Sequence, residues 1–180
     1  MSGGSHIDPS NKKVALIISI LALVLAISET LGKTAASTAL QKNIEASNLW
    51  SFFQAKSIRM TTMKVAADSV ESSSKLSDKQ EKIVQKWRAD AARYDSEPET
   101  GEGRKELMAK AKQAEEQRDY ATAAGHQYEM ASAAIQIAIV LASTSIVIGV
   151  PVLLWGSAGL GLIGIVFLGL GWLAPTLIHI

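Results

Sequence analysis

The stretch from Arg104 to Val150 starts with charged, helix-forming residues and passes into an apolar run with no proline between the two parts. At about 1.5 Å per residue, one continuous helix over this stretch is roughly 70 Å long, although about 30 Å suffices to cross the hydrocarbon of a bilayer. The rest of the helix must stand in water. This stretch therefore predicts a membrane protein with a helix that continues well beyond the bilayer.

Two other apolar runs, Val14–Leu31 and Val152–Leu173, are long enough to span a membrane, and Pro151 separates the second run from the long helix. We predict an all-α integral membrane fold, with three transmembrane helices and a long extramembrane helical hairpin between the first and the second. The predicted segments are a flexible N-terminal tail (1–12), transmembrane helices (13–32, 131–149 and 152–173), the extramembrane hairpin (33–130) and a C-terminal tail (174–180).

The first apolar run has an alternative interpretation as a signal peptide. Lys12 and Lys13 supply the basic flank, about 14 apolar residues follow, and small residues at 34–36 resemble a cleavage site. A transmembrane helix is the interpretation that we prefer, because the run is also long enough to cross a bilayer.

Within the hairpin, apolar spacing predicts helices over about 34–72, 77–94 and 104–130. On the first of them, a coiled-coil-like seam for a partner helix consists of Ala39, Ala46, Leu49, Phe53, Met60, Met63, Ala67 and Val70. A second, weaker stripe of Ile44, Ala55, Ile58 and Val65 lies beside this seam. We therefore expect the first helix of the hairpin to contact more than one neighbour.

The composition argues against several functional classes. The 18 basic and 17 acidic residues give a formal net charge of +1, and both signs are mixed in the hairpin, whereas a nucleic-acid-binding face needs clustered Lys and Arg. The chain has no cysteine, which excludes disulfides, thiolate metal sites and a cysteine nucleophile. We find no phosphate-binding loop and no nucleophile with its base, so we expect no enzyme activity, no cofactor and no metal.

Glu29 is the one carboxylate inside a predicted span, and Gln136 lies at a similar depth in the second span. Polar side chains in hydrocarbon are costly unless they are hydrogen-bonded, so we predict that the two are neighbours. An alternative for Glu29 is a pair with Lys33, one helical turn away. If Glu29 and Gln136 do pair, they serve either as a contact that holds two helices together or as part of a proton path.

Small residues form a helix-packing stripe on the third span at spacings of four, three and seven: Ser157, Gly161, Gly164 and Gly171. Because lipid tails are as apolar as leucine, transmembrane helices pack best where small residues let their backbones approach. The stripe predicts either self-association or close packing against another span of the same chain.

Three aromatic residues, Trp50, Phe52 and Phe53, lie together in the first helix of the hairpin. Residues one and two positions apart point to different faces of a helix, so a single partner helix cannot cover all three. They are a candidate interface, with a plain three-helix core as the alternative.

The loop 95–103 carries carboxylates at alternating positions, but it lacks the glycine of a calcium loop, so we predict a solvated acidic tip.

Several segments resemble a bacterial three-span inner-membrane protein family of unknown function: NIEASNLWSFFQAKSIRMTT (43–62), WRADAARYDSEPETGEGRKELMAKAKQAEEQRD and IQIAIVLASTS. The resemblance covers nearly the whole chain from Lys12 onward, and SNLWSFFQAK (47–56) is its most specific part. It implies three spans, a helical segment between the first two, and no assigned activity. The resemblance also implies basic residues in the turn between the last two spans, which would place that turn and the N-terminus in the cytoplasm, whereas Gly149, Val150 and Pro151 carry no charge here.

These observations favour a non-enzymatic, multi-pass protein of the bacterial inner membrane. Its expected partners are membrane lipid and either further copies of itself or another membrane protein complex, contacted through the hairpin, with no nucleic acid. We expect the hairpin to be periplasmic, because Lys12 and Lys13 favour a cytoplasmic N-terminus. Lys33, Lys42 and Arg118 favour a cytoplasmic hairpin instead, but the preference of basic residues for the cytoplasm loses force over long segments. The alternative is a homo-oligomeric channel or ion-coupled membrane assembly, in which Glu29 and Gln136 would face a water-filled path.

Overall fold

A computed structural model describes residues 9–72 and 75–177, with side chains from Lys12 onward. In this part of the chain the secondary structure is entirely helical, which confirms the all-α fold class. The four α-helices are α1 (Pro9–Glu71), α2 (Asp78–Asp95), α3 (Arg104–Ile148) and α4 (Val152–Leu173), followed by one turn of 3-10 helix (Pro175–Leu177).

Helix α1 is one continuous element, which includes both the predicted first span and the predicted first helix of the hairpin. It begins at Pro9, so the last four residues of the predicted N-terminal tail are helical; residues 1–8 of that tail lie outside the described residues, as do 178–180 of the predicted C-terminal tail. A capping box begins α2, since Ser77 Oγ accepts from the Gln80 amide and the Ser77 amide donates to Gln80 Oε1.

Three of the helices, α1, α3 and α4, are long and apolar enough to cross a membrane, which suggests a multi-pass membrane protein. Only 17%, 28% and 17% of their apolar windows are buried inside the chain. Their aliphatic side chains therefore face outward, as lipid-facing helices require, whereas a water-soluble bundle would turn them inward.

The described residues divide into two compact units. Unit 1 contains the chain up to Ala39 and from Asp119 onward. Its core holds Leu21 of α1 with Ile135 and Ala138 of α3, and Leu160 of α4 packs against them. A second cluster joins Ala35, Ala124 and Tyr128, with Leu168 of α4 against it. Unit 1 is thus a bundle of three helical segments.

Unit 2 contains residues 40–118, which comprise the rest of α1, all of α2 and the start of α3. Its buried apolar side chains come from all three segments: Ala46, Met60, Ala67, Val84, Ala91, Leu107, Ala111 and Ala114. Arg88 of α2 donates to Asp68 Oδ1 at 2.5 Å and to Glu71 Oε2 at 2.6 Å, which ties α2 to the end of α1. The seam side of α1 is therefore covered within the chain.

Candidate functional site

In unit 1, small residues bring α1 and α3 together. A Cβ atom built on Gly32 would lie 3.6 Å from Tyr128 Cβ, and one built on Gly125 would lie 3.8 Å from Ala35 Cβ. Both distances would be ordinary van der Waals contacts for such an atom, so the two helices approach closely at these positions. Beside this contact the helices leave an open groove of about 460 Å³, lined by Ser28, Glu29, Gly32, Lys33, Ala36, Tyr128, Glu129, Ser132, Ala133 and Gln136.

The two polar side chains that the sequence singled out lie together in this groove. Gln136 Nε2 donates to Glu29 Oε1 at 3.3 Å, and both side chains are otherwise exposed. Within the described residues, the hydrogen-bond partner of Glu29 is thus on the opposite helix rather than at Lys33 of its own helix. The pair holds α1 to α3, whereas its part in a proton path stays a prediction.

Ser28 lines the same groove, and sequence reasoning missed it. This residue is 0% exposed, and in the described part of the chain its Oγ has no hydrogen-bond partner. Neighbouring hydroxyls behave differently, since Ser19 and Thr30 each donate to the carbonyl oxygen four residues earlier in the helix. A buried hydroxyl without a partner is unfavourable, and this one borders a cavity with other polar groups. The only sequence signal for Ser28 is a polar residue beside Glu29 in an apolar run.

The packing stripe of α4 contacts the other helices of the same chain. Ser157 Oγ donates to the Ala138 carbonyl oxygen at 2.7 Å, which joins α4 to α3. A Cβ on Gly161 would lie 2.9 Å from Leu21 Cδ2 of α1. On Gly164 and Gly171 it would lie 2.5 Å from Ile135 Cγ1 and 2.7 Å from Tyr128 Cε1 of α3. All four residues therefore pack inside unit 1, and self-association through this stripe stays a prediction.

The three aromatic residues of α1 have separate contacts within unit 2. Trp50 Nε1 donates to Glu115 Oε1 of α3 at 2.8 Å, and the Trp50 ring meets the edge of Phe53 at a centroid distance of 5.3 Å. The Arg104 guanidinium lies 5.6 Å from the Phe53 ring, and Phe52 remains 38% exposed. The cluster organises the packing of α1 against α3, while its use as an interface to another chain stays a prediction.

Lys56 is a second residue that sequence reasoning missed. It is only 6% exposed, and its Nζ lies 5.4 Å from the Phe52 and Tyr94 ring centroids. Glu97 and Glu102 of the acidic loop approach this ammonium at 3.9 and 4.0 Å. Part of the loop is therefore held against the protein by basic side chains, because a buried ammonium needs nearby carboxylates. The expected fully solvated loop is thus only partly found.

An acid-sensitive contact joins the end of α2 to the start of α3, on the two sides of this loop. Arg104 donates to Asp95 Oδ1, and Lys105 Nζ lies 2.9 Å from Asp95 Oδ2. Hydrogen bonds from Lys105 and Arg104 lower the pKa of Asp95 below its ordinary 3.8. A lowered folded pKa stabilises the folded state above the unfolded pKa, and this contribution is lost as pH falls through the folded value. The relevant window therefore lies below about pH 4.

We expect Asp95→Asn to lower the stability of unit 2 at pH 7 by about 1 kcal/mol or less, because the carboxylate is partly exposed. The difference from the unaltered chain should shrink as the pH falls through the lowered pKa of Asp95, because the carboxyl group is then protonated in the folded state as well. Thermal unfolding of the full chain in detergent, followed by circular dichroism at several pH values, measures both. Glu99→Gln, which alters an exposed carboxylate of the same loop, is the control, and a difference that persists at low pH would argue against the ion pair.

In residues 9–72 and 75–177, no three His, Asp or Glu side chains are grouped so that they could hold a metal ion. The polar groove of unit 1 is therefore the strongest candidate site in the described part of the chain. No curated protein and no solved structure matches this chain. Its sequence matches a family model over residues 10–174, which include all three candidate spans, all of unit 2 and most of unit 1. The chain belongs to this family, which is described as a domain of unknown function (DUF4337).

Proposed function

We propose that the chain is a non-enzymatic, multi-pass protein of the bacterial inner membrane that self-associates through unit 2, with unit 2 on the periplasmic side. Lys12 and Lys13, which precede the first candidate span, support this orientation through the preference of basic flanks for the cytoplasm. The observation that carries the self-association is an unpartnered face of α1. A role as an accessory subunit of another membrane complex is the same proposal with a different partner.

This face, which we name the outer stripe, lies opposite the buried seam of α1. At about 100° per residue its members fall within roughly 60° of Ile58 on the helix. They are Leu40, Ile44, Ser47, Ser51, Gln54, Ala55, Ile58, Thr61, Thr62, Val65 and Ser69. None is charged, and all except the half-buried Ala55 are exposed. Ile58 and Val65 are 68% and 60% exposed, in a helix whose opposite face holds the buried Ala46, Met60 and Ala67.

A second copy of the chain is the partner that fits the outer stripe best. Ile44, Ser51, Ile58 and Val65 are each seven residues apart, which is the repeat of a two-stranded coiled coil. The stripe meets no like charge when it faces itself, and its Ser, Thr and Ala members allow close approach. Two copies inserted in one membrane have the same orientation, so their α1 helices would run parallel with identical residues facing each other.

Disulfide cross-linking tests this arrangement, because the chain contains no cysteine of its own. We expect Ser51→Cys to form a covalent dimer in native membranes under mild oxidation, since residue 51 of each copy would lie on the shared axis within disulfide distance. Arg59→Cys is the matched control on the same helix, where residue 59 is exposed but points away from the outer stripe. We expect it to cross-link much less.

A charge on the outer stripe should abolish the association. Adding Ile58→Glu and Val65→Glu to Ser51→Cys should remove the cross-link and reduce the mass of the assembly in mild detergent to that of one chain. The matched change Arg59→Glu should leave both unchanged. Equal cross-linking of Ser51→Cys and Arg59→Cys, together with a monomeric mass for the unaltered chain, would contradict the proposal.

The alternative, a homo-oligomeric channel or ion-coupled assembly, depends on Glu29 and Gln136 facing a path between copies. The two side chains hydrogen-bond to each other in the groove of a single chain. This contact supports a role in holding two helices of one chain together and adds no separate argument for conduction. Self-association through unit 2 is therefore the function that we propose.

A further inference from the structure

The groove of unit 1 contains charges of both signs on its wall. Glu29 and Glu129 contribute carboxylates, and Lys33 contributes an ammonium one helical turn from Glu29. Two negative groups and one positive group give a formal charge of −1. His126 lies 3.7 Å from Glu129, but both side chains are largely exposed, so this contact leaves the Glu129 carboxylate accessible. The groove therefore suits a ligand that carries a cation and an anion close together.

Ser28 supplies an independent indication that a polar ligand enters the groove. Ser28 lines the cavity, and its fully buried Oγ has no hydrogen-bond partner among the described residues. The large majority of buried hydroxyls in native proteins have a hydrogen-bond partner, either a protein group or an ordered water. A ligand group that can donate or accept a hydrogen bond at this position would satisfy it.

The groove also lies at the level where each helix changes from apolar to charged. No charged residue occurs between Val14 and Ile27 of α1, and Glu29 and Lys33 follow directly. No charged residue occurs between Ala131 and Ile148 of α3, and Glu129 lies two positions before this apolar run. Both boundaries meet at the groove, which places it at the depth of lipid headgroups.

We propose that this groove binds the headgroup of an aminophospholipid, with the lipid ammonium at Glu29 and Glu129 and the phosphate at Lys33. A primary ammonium has three N–H donors, which two carboxylates and the Ser28 hydroxyl can accept. A choline headgroup has no such donor, and a purely anionic headgroup would face two carboxylates. Val140, one turn deeper than Gln136 on the same face of α3, is 61% exposed and offers apolar surface to an acyl chain.

Native mass spectrometry of the full chain tests the proposal in detergent micelles that contain phosphatidylethanolamine, phosphatidylcholine and phosphatidylglycerol with the same acyl chains. We expect the ethanolamine lipid to be retained about tenfold more than the choline lipid, the effect of one charge-assisted hydrogen bond. Glu29→Gln should reduce the retention of the ethanolamine lipid by about the same factor and leave the choline lipid unchanged. It keeps an acceptor for Gln136 Nε2, so the helix contact should survive.

Glu116→Gln, which alters an exposed carboxylate outside the groove, should leave lipid retention unchanged. Soluble phosphoethanolamine, which lacks acyl chains, should displace little of the lipid at equal concentration. The proposal would be overturned if the ethanolamine and choline lipids were retained equally, or if phosphatidylglycerol were retained best. Displacement of the lipid by an equal concentration of phosphoethanolamine would also overturn it. The groove belongs to unit 1 and the outer stripe to unit 2, so the lipid site and the self-association can fail separately.

Discussion

Replacing Gly164 by leucine is expected to destabilise unit 1 by more than about 3 kcal/mol, at or beyond the upper end of the usual cost of overpacking a core. Already the first atom of the new side chain would lie 2.5 Å from Ile135 Cγ1 and 3.1 Å from the Ala131 carbonyl oxygen. Ile135 is fully buried in the core of unit 1, so moving it would disturb the side chains packed around it. Helix α4 must therefore move away from α3, which also weakens the nearby hydrogen bond from Ser157 Oγ to the Ala138 carbonyl oxygen.

Two other glycines of the same helix provide the controls. A Cβ atom on Gly159 or Gly169 would meet nothing within 4 Å. Leucine at either position should therefore be tolerated, and the loss of helical glycine should favour the helix by up to about 1 kcal/mol. Thermal unfolding in detergent, together with hydrogen exchange of residues 131–145 in the full chain, measures the difference. Similar stabilities for Gly164→Leu and Gly169→Leu would mean that α4 does not pack on α3 as described.

The small residues of α4 show what the sequence could predict and what it could not. Their spacing predicts a face that approaches another helix closely, because this follows from the size of the side chains alone. It does not identify the partner helix, because each helix in the membrane offers similar aliphatic surface. The contacts of Gly161 with Leu21 and of Gly164 with Ile135 divide the face between α1 and α3.

The polar groove was easier to predict from the sequence than the partner helix of the α4 stripe. On each helix the change from apolar to charged residues marks the same depth, so Glu29 and Gln136 could be placed at one level before their contact was seen. Ser28 and Lys56 could not be found in this way. The burial of a single polar side chain depends on which elements meet over it, and neither residue interrupts an apolar pattern strongly enough to be noticed.

The largest effect that we expect in unit 2 comes from Trp50→Ala, which should cost about 3 kcal/mol. This is the lower end of the range for buried Trp, because Trp50 is only half-buried. The change removes the edge contact with Phe53 and the hydrogen bond to Glu115 Oε1. Trp50→Phe keeps a ring against Phe53 but removes the N–H donor and part of the indole surface, so it should cost at least about 1 kcal/mol. Hydrogen exchange of the amides of residues 46–60 and 107–115 in the full chain reports the opening free energy of this packing.

A double-mutant cycle isolates the contact between α1 and α3. If Trp50 Nε1 donates to Glu115, then Trp50→Phe should cost much less in a chain that already carries Glu115→Leu than in the unaltered chain. Additive costs would mean that the indole stabilises unit 2 through ring packing alone. The result also bears on the outer stripe, which lies on the opposite face of α1 from the buried seam. Because Trp50 and Glu115 hold the inner face of α1 within its own chain, the helix can offer the outer stripe to a second copy without unfolding unit 2.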